Sequence, residues 1–219
     1  MYDTLVVLSG GMDSAVLLAD CLDQGQSCLA ISFDYGAKHN GRELPMAKAL
    51  CNQLEVGHTL VALPFINELF ASSLLSSGEE VPDGAYDADT MKSTVVPFRN
   101  GIMLSIAAGY AESVAAARVV LASHAGDHHI YPDCRPEFNA ALARAVRLGT
   151  DDQVRIEYPF AQLDKREIGD LGRRLEIDFT ATWTCYKGGL VHCGSCGACD
   201  ERKYALRHDQ GLDPTSYLS

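Results

Sequence analysis

The apolar run Thr4–Leu8 breaks directly into Ser9-Gly10-Gly11-Met12-Asp13-Ser14, after which apolar residues at 15, 16, 17, 18, 19 and 22 predict a helix over Asp13–Leu22. A strand that enters a helix through two glycines lets backbone N–H groups converge on one point. The helix N-terminus adds the positive end of its dipole. Such a turn is an anion cradle, and the Ser9 and Ser14 hydroxyls add donors to it. Asp13, a carboxylate in a place suited to phosphate, makes sense with magnesium between the two. The string matches neither G-x-x-x-x-G-K-S/T nor G-x-G-x-x-G, and it contains no lysine. Two glycines alone would indicate only a tight, capped junction. The full Ser-Gly-Gly-x-Asp-Ser string points to a ligand.

Further strands are predicted at Ser27–Phe33, Thr59–Leu63, Arg118–Ala122 and Val154–Tyr158, and helices at Arg42–Leu54, Asn100–Ala116, Pro136–Leu148 and Lys165–Leu175. The last helix opens with Asp164-Lys165-Arg166-Glu167, a capping box. Nearly continuous apolar strands alternating with helices imply a doubly wound α/β domain with a mainly parallel sheet, whose ligands lie beyond the C-terminal strand ends. Between Ala71 and Pro97 the chain is rich in Ser, Gly, Pro and acids and predicts no regular element. A stretch this long inside a domain is expected to be a lid, a binding loop or disordered.

With 219 residues, 47% of them hydrophobic, the chain can bury one sizeable core. The net charge is −11, from 18 basic and 29 acidic residues, which disfavours nucleic acid and anionic membrane as partners and favours small-molecule substrates. No apolar stretch approaches membrane-spanning length, and the N-terminus lacks a basic leader, so the expected location is the cytoplasm. Of the eight cysteines, Cys21, Cys28, Cys51 and Cys134 are scattered, and the first three read as reduced core residues.

The other four form Cys185-x7-Cys193-x2-Cys196-x2-Cys199, with glycines at 188, 189, 194 and 197 to permit tight turns. Four thiolates suit tetrahedral zinc, and a filled coordination sphere makes the metal structural. An iron–sulfur cluster and a redox C-x-x-C pair are the alternatives, with His192 a less regular substitute for Cys193.

Taken together, the loop resembles the pyrophosphate loop of the N-type ATP pyrophosphatase (PP-loop) superfamily, whose members cleave ATP to AMP and pyrophosphate while adenylylating a substrate. Along nearly its whole length the chain is similar to the 7-cyano-7-deazaguanine synthase family. The resemblance rests on the loop, the four cysteines, Phe33-Asp34-Tyr35-Gly36, Val96-Pro97-Phe98-Arg99-Asn100, Tyr131-Pro132-Asp133-Cys134-Arg135 and Asp164-Lys165. It implies a Rossmann-like fold of the adenine nucleotide alpha-hydrolase type, with a PP-loop domain over 1–180 and a zinc-binding region over 181–219. It also implies homodimers, zinc on Cys185, Cys193, Cys196 and Cys199, and ATP on the segment from Leu8 (Leu8, Ser9, Gly10, Gly11, Met12, Asp13, Ser14). The implied reaction converts 7-carboxy-7-deazaguanine, ammonia and ATP into the nitrile, within queuosine and archaeosine precursor biosynthesis.

The residues suit that chemistry on their own terms. Adenylylation of a carboxylate builds negative charge on phosphates, and Lys165 and Arg99 are the leading cations to meet it, with Asp13 beside them. Their plain alternatives are a surface lysine and an arginine paired with an acid of the 71–97 segment. A deazaguanine ring offers adjacent N–H donors that a carboxylate accepts in bidentate fashion, which makes Asp127 and Asp133 candidates, with Tyr131 and Arg135 beside them. Each aspartate is otherwise a turn residue, and His128 and His129 read as loop surface. Three rival functions remain: transfer of the activated acyl group to another amine, including one on a partner protein; direct tRNA modification by a PP-loop enzyme; and a degenerate ATP-binding or zinc-mediated interaction module, which the intact loop disfavours.

Overall fold

The computed structural model describes every residue except 1, 88, 152, 208–211 and 219. Its centre is a five-stranded parallel sheet in the order β3-β2-β1-β4-β5, made by β1 (Tyr2–Val7), β2 (Cys28–Asp34), β3 (Gly57–Ala62), β4 (Ala116–Val120) and β5 (Arg155–Glu157). The central strands β1 and β2 are largely apolar on both faces because both faces are covered. Leu5 and Val7 of β1 join one core with Leu29 and Ile31 of β2, while Val6 and Leu8 join the other with Ala30.

The first of these cores lies under α4 (Arg99–Ser113) and α5 (Pro136–Gly149); the second lies under α1 (Met12–Asp23), α2 (Asn40–Gln53), α6 (Lys165–Arg174) and α7 (Gly197–Leu206). Each strand and helix read from periodicity is present, with ends shifted by a few residues. The doubly wound parallel architecture follows. Two helices carried too little signal: α3 (Pro64–Leu69), only six residues long, and α7, whose first turn is the Gly-rich cysteine segment. No helix among the described residues is long and apolar enough to cross a membrane.

The 71–97 segment has one short 3₁₀ turn, Thr90–Thr94, and is held down as a strap. Leu74, Leu75, Val81, Met91 and Val96 are buried. Lys38 Nζ donates to the carbonyls of Ser73, Leu75, Gly78 and Glu79 at 2.8, 2.6, 3.1 and 2.8 Å, closing the strap against the end of β2. Its polar composition therefore hides a run of buried apolar anchors.

The sheet order reverses between β1 and β4, and the loops leaving their C-terminal ends diverge. A cavity of about 1150 Å³, including its mouth, opens there. This is where open α/β sheets hold their ligands.

Candidate active site

One end of the cavity is the loop after β1. Gly10 has φ +96°, and a Cβ there would stand 2.0 Å from the Glu43 carbonyl oxygen of α2, so only glycine fits. Gly11 occupies the N-cap position of α1, and no side chain caps the helix, which leaves its N-terminal donors facing the cavity. Inside the loop, Gly11 N–H donates to Ser9 Oγ at 3.0 Å, Ser9 N–H donates to Ser14 Oγ at 3.1 Å, and Ser14 Oγ donates to the Gly11 carbonyl at 3.1 Å. Trp183 N–H donates to the Gly10 carbonyl at 3.0 Å and ties the loop to the C-terminal region.

Asp13 Oδ2 pairs with Lys165 Nζ at 2.5 Å, while Asp13 Oδ1 is buried without a hydrogen-bond partner. A buried carboxylate oxygen with nothing to accept from, beside an anion cradle, fits a cation brought in with a polyphosphate. Lys165 is buried, and the Asp164–Glu167 capping box fixes its backbone at the start of α6. Burial opposes its charge, but the Asp13 and Glu201 carboxylates more than offset that and raise its pKa. Glu201 Oε2 lies 3.0 Å from Lys165 Nζ, and Glu201 Oε1 lies 3.5 Å from His124 Nε2, which is in turn 3.5 Å from Asp127 Oδ1. Tyr86 OH donates to Asp127 Oδ1 at 2.9 Å. A continuous chain of polar contacts thus runs from the glycine loop to the far end of the cavity.

That far end is aromatic. Tyr35, Tyr86, Tyr131 and Tyr186 line it with Arg99. Arg99 Nη1 donates to Tyr35 OH at 3.2 Å. Burial works against the guanidinium, but Tyr35 and Asp133 hold its charge and raise its pKa. Tyr131 OH lies 3.3 Å from Thr94 Oγ1 and 3.4 Å from Tyr186 OH. The strap, the β4 loop and the C-terminal region therefore meet on this one ring.

Of the four residues expected around the heterocycle, Asp127 and Tyr131 line the cavity. Asp133 and Arg135 are not among its lining residues. The Asp133 carboxylate is buried and accepts from the Asn100 N–H at 2.7 Å, capping the start of α4, while Arg135 is exposed ahead of α5. Cys134 lines the cavity, but burial pushes its thiol up to about 12, which removes the thiolate a nucleophile needs.

Three acid–base groups of the cavity, Glu43, His39 and Glu201, escaped sequence reasoning. Glu43 and His39, from α2 and its N-cap, face each other at 3.8 Å between the two ends of the cavity. Burial pushes Glu43 up to about 8, against the pull of Arg99, and burial brings His39 down to about 4. Glu201 was also missed, since an acid two residues after a cysteine motif reads as helix surface. His39-x-x-x-Glu43, at i,i+4 spacing, was the one available signal for the first pair.

The four clustered cysteines converge. Their Sγ atoms all lie within 4.8 Å of one another, and Cys193 Sγ is 3.8 Å from Cys199 Sγ. Tetrahedral thiolates around a metal at about 2.3 Å stand roughly 3.8 Å apart, so the set fits a single ion. The Cys193 and Cys196 N–H groups donate to the Cys185 and Cys193 sulfurs at 3.4 and 3.3 Å. Hydrogen bonds from Cys196 and Cys199 hold the Cys185 thiol below the usual thiol range. Cys196 is the N-cap of α7 and Cys199 lies in its first turn. His192 instead accepts from the Thr184 N–H at 3.2 Å and stacks on Trp183.

A family model described as queuosine biosynthesis protein QueC matches residues 3–210. Among curated proteins, the chain is 68% identical over 218 residues to the 7-cyano-7-deazaguanine synthase of Desulfotalea psychrophila, covering 100% of both chains. It is 52% identical to the Porphyromonas gingivalis protein of the same name, over 98% of this chain and 97% of that one. Among solved structures it resembles NMN synthetase from Francisella tularensis, with a TM-score of 0.51 and 15% identity over 98% of this chain and 89% of that one. The U34-tRNA thiolase NcsA from Methanococcus maripaludis gives a TM-score of 0.50 and 16% identity, over 81% of this chain and 58% of that one. At these identities the solved structures show the shared fold alone.

Proposed function

The chain belongs to the QueC family of queuosine biosynthesis proteins, and from that membership we propose that it converts 7-carboxy-7-deazaguanine, ammonia and ATP into 7-cyano-7-deazaguanine. The observation that carries the reading is one cavity joining an uncapped, glycine-built anion cradle to an aromatic chamber with a carboxylate, through a buried lysine.

In this reading the residues from Leu8 to Ser14 hold the outer phosphates of ATP, and Lys165 and Arg99 face the charge that develops as pyrophosphate leaves. The substrate carboxylate attacks the α-phosphorus, giving an acyl-adenylate and pyrophosphate. Ammonia displaces AMP to give the amide. A second ATP adenylylates the amide oxygen, releasing pyrophosphate and one N–H proton, and loss of AMP and the remaining N–H proton leaves the nitrile. Magnesium bound with ATP would neutralise phosphate charge, and Asp13 Oδ1 is the oxygen placed to ligate it. Asp127 accepts the ring N–H groups, and the tyrosines flank the ring.

We assign zinc to the cysteine knuckle. A four-iron cube would need its cysteine sulfurs farther apart than they stand, whereas one tetrahedral ion needs no rearrangement. All four ligands come from protein, so the ion would stabilise the 181–219 region and take no part in chemistry. A cytoplasmic homodimer with small-molecule substrates and no nucleic-acid partner completes the proposal.

The test is one incubation with ATP, magnesium, ammonium and 7-carboxy-7-deazaguanine, read by mass spectrometry. Nitrile with AMP and pyrophosphate is the expected result. ADP with phosphate would move the cleavage position, and an acyl group found on another amine would move the acceptor.

A further inference from the structure

A cavity that receives polyphosphate has little use for a buried carboxylate unless that carboxylate holds cations. Glu201, with 12% of its side chain exposed, holds the Lys165 ammonium, with Oε2 3.0 Å from Nζ, while its Oε1 lies 3.5 Å from Nε2 of His124, a ring whose Nδ1 accepts the Gly126 N–H. The only other acid on Lys165 Nζ among the described ion pairs is Asp13, part of the glycine loop itself. Paired with Asp13 alone, the ammonium would be drawn onto the loop's carboxylate and away from the incoming phosphates. Glu201, on a different helix, gives the ammonium a second anchor at 3.0 Å.

Glu201 is well placed to do this, because its helix is fixed at several points. Arg202, the next residue, is fully buried and donates through Nη1 to Thr182 and Thr184 at 3.0 and 2.7 Å and through Nη2 to the Phe179 carbonyl at 2.6 Å. Trp183, within that same segment, donates to the glycine loop at Gly10. Helices α6 and α7 touch so closely that a Cβ on Gly169 would stand 2.8 Å from the Ala205 carbonyl oxygen. Lys165 and Glu201 therefore face each other from two helices with little freedom to separate, and the cysteine knuckle starts the second of them.

We propose that Glu201 is a positioning residue for Lys165, holding its ammonium between the glycine loop and the cavity and thereby setting the rate of adenylyl transfer. The proposal rests on the function proposed above for its rate readout. A double-mutant cycle tests it, with pyrophosphate release measured at saturating substrates for wild type, Glu201→Gln, Lys165→Ala and the double variant. Glu201→Gln should lower kcat about 100-fold while the KM for ATP changes less than about threefold. The double variant should be no slower than Lys165→Ala alone, because the second change removes a support for a group already gone.

Effects that multiply, or an unchanged kcat in Glu201→Gln, would overturn the proposal. Metal content and melting temperature are measured alongside. If Glu201→Gln loses its metal or fails to fold, the cycle is repeated with Glu201→Asp, which keeps the charge but shortens the reach. A second readout needs no substrate: the rate at which an amine-reactive ester labels Lys165, followed by mass spectrometry of its peptide. Labelling should accelerate at least fivefold in Glu201→Gln, and an unchanged rate would sink the positioning role. If wild type releases no pyrophosphate yet labelling responds as expected, the functional reading fails and the Glu201–Lys165 pairing stands.

Discussion

The two ends of the cavity are made in different ways. The glycine-loop end is one consecutive stretch, Leu8–Ser14, shaped by backbone conformation and by a glycine jammed against α2. The opposite end has no such stretch. Tyr35, Tyr86, Arg99, Asp127 with Tyr131, and Tyr186 arrive from five separate segments, and Tyr186 follows directly on Cys185 of the cysteine cluster. A contiguous cradle depends on local geometry, whereas a chamber assembled from distant segments depends on everything that packs them. The two ends should therefore fail differently.

The largest separation should come from the knuckle. Cys196→Ser is expected to release the metal and lower the melting temperature by more than about 10 °C, since each kcal/mol lost shifts a domain of this size by roughly 2–4 °C. Affinity for the heterocycle should fall at least about 100-fold, or nearly 3 kcal/mol, while ATP affinity falls less than about tenfold. Elemental analysis, melting curves and calorimetric titration of both ligands check this. Equal losses at both ends would show that the cradle is as dependent on the C-terminal region as the chamber is.

Next comes Lys165→Ala. Removing a buried cation aimed at developing phosphate charge should cost roughly 10²–10³ in kcat. Heterocycle affinity should hold, because Lys165 is paired with Asp13 at the glycine loop. Steady-state kinetics with a separate binding titration would decide, and a loss confined to heterocycle binding would place Lys165 at the wrong end.

Smaller effects should separate the two candidate aspartates. Asp127→Asn is expected to weaken heterocycle binding by about 1–3 kcal/mol with ATP affinity unchanged, as when a charged hydrogen-bond partner is lost. Asp133→Asn should leave binding within about twofold and cost roughly 1 kcal/mol of stability, since Asp133 caps α4 through the Asn100 N–H. The reverse pattern in titration and melting would return ring recognition to Asp133.

The same contrast explains what the sequence disclosed. Ser9–Ser14 was legible because an anion cradle needs particular residues at fixed neighbouring positions, and the cysteine spacing was legible for the same reason. The parallel sheet was legible because β1 and β2 are apolar on both faces. The burial of the strap was not legible because its anchors, Leu74, Leu75, Val81, Met91 and Val96, follow no period. Glu201 and Glu43 were missed because little local marks a buried acid: both are charged and helical, and only the His39–Glu43 spacing offered a hint. Only the packing of α7 against α6, and of α2 against the glycine loop, turns them inward. In the Tyr-Pro-Asp-Cys-Arg string, the motif itself was visible, but which of its side chains face the cavity depends on how the 3₁₀ turn Pro132–Cys134 docks on α4.

Glu43 sits where the two ends meet: its carbonyl crowds Gly10, a Cβ built on Gly11 would stand 3.6 Å from its Oε1, and Arg99 acts on its carboxylate from the other side. Burial pushes its pKa up from 4.5 to about 8, with Asp13 adding repulsion and Arg99 opposing. Between those values the folded protein holds a proton that the unfolded chain has released, so this group's contribution to stability is full below about pH 4.5 and is lost as pH rises towards 8. The slope approaches about 1.4 kcal/mol per pH unit. His39, brought down to about 4, acts in the opposite sense, but only between that value and its ordinary 6.5. Above pH 6.5 the Glu43 effect stands clear of it. Denaturant titrations of the ligand-free protein from pH 6.5 to 8 should show wild type losing about 1–2 kcal/mol relative to Glu43→Gln, whose amide does not titrate. Parallel profiles would mean that Glu43 is already ionised beside Arg99, making it a fixed countercharge of the aromatic end in place of a proton-holding group at the junction.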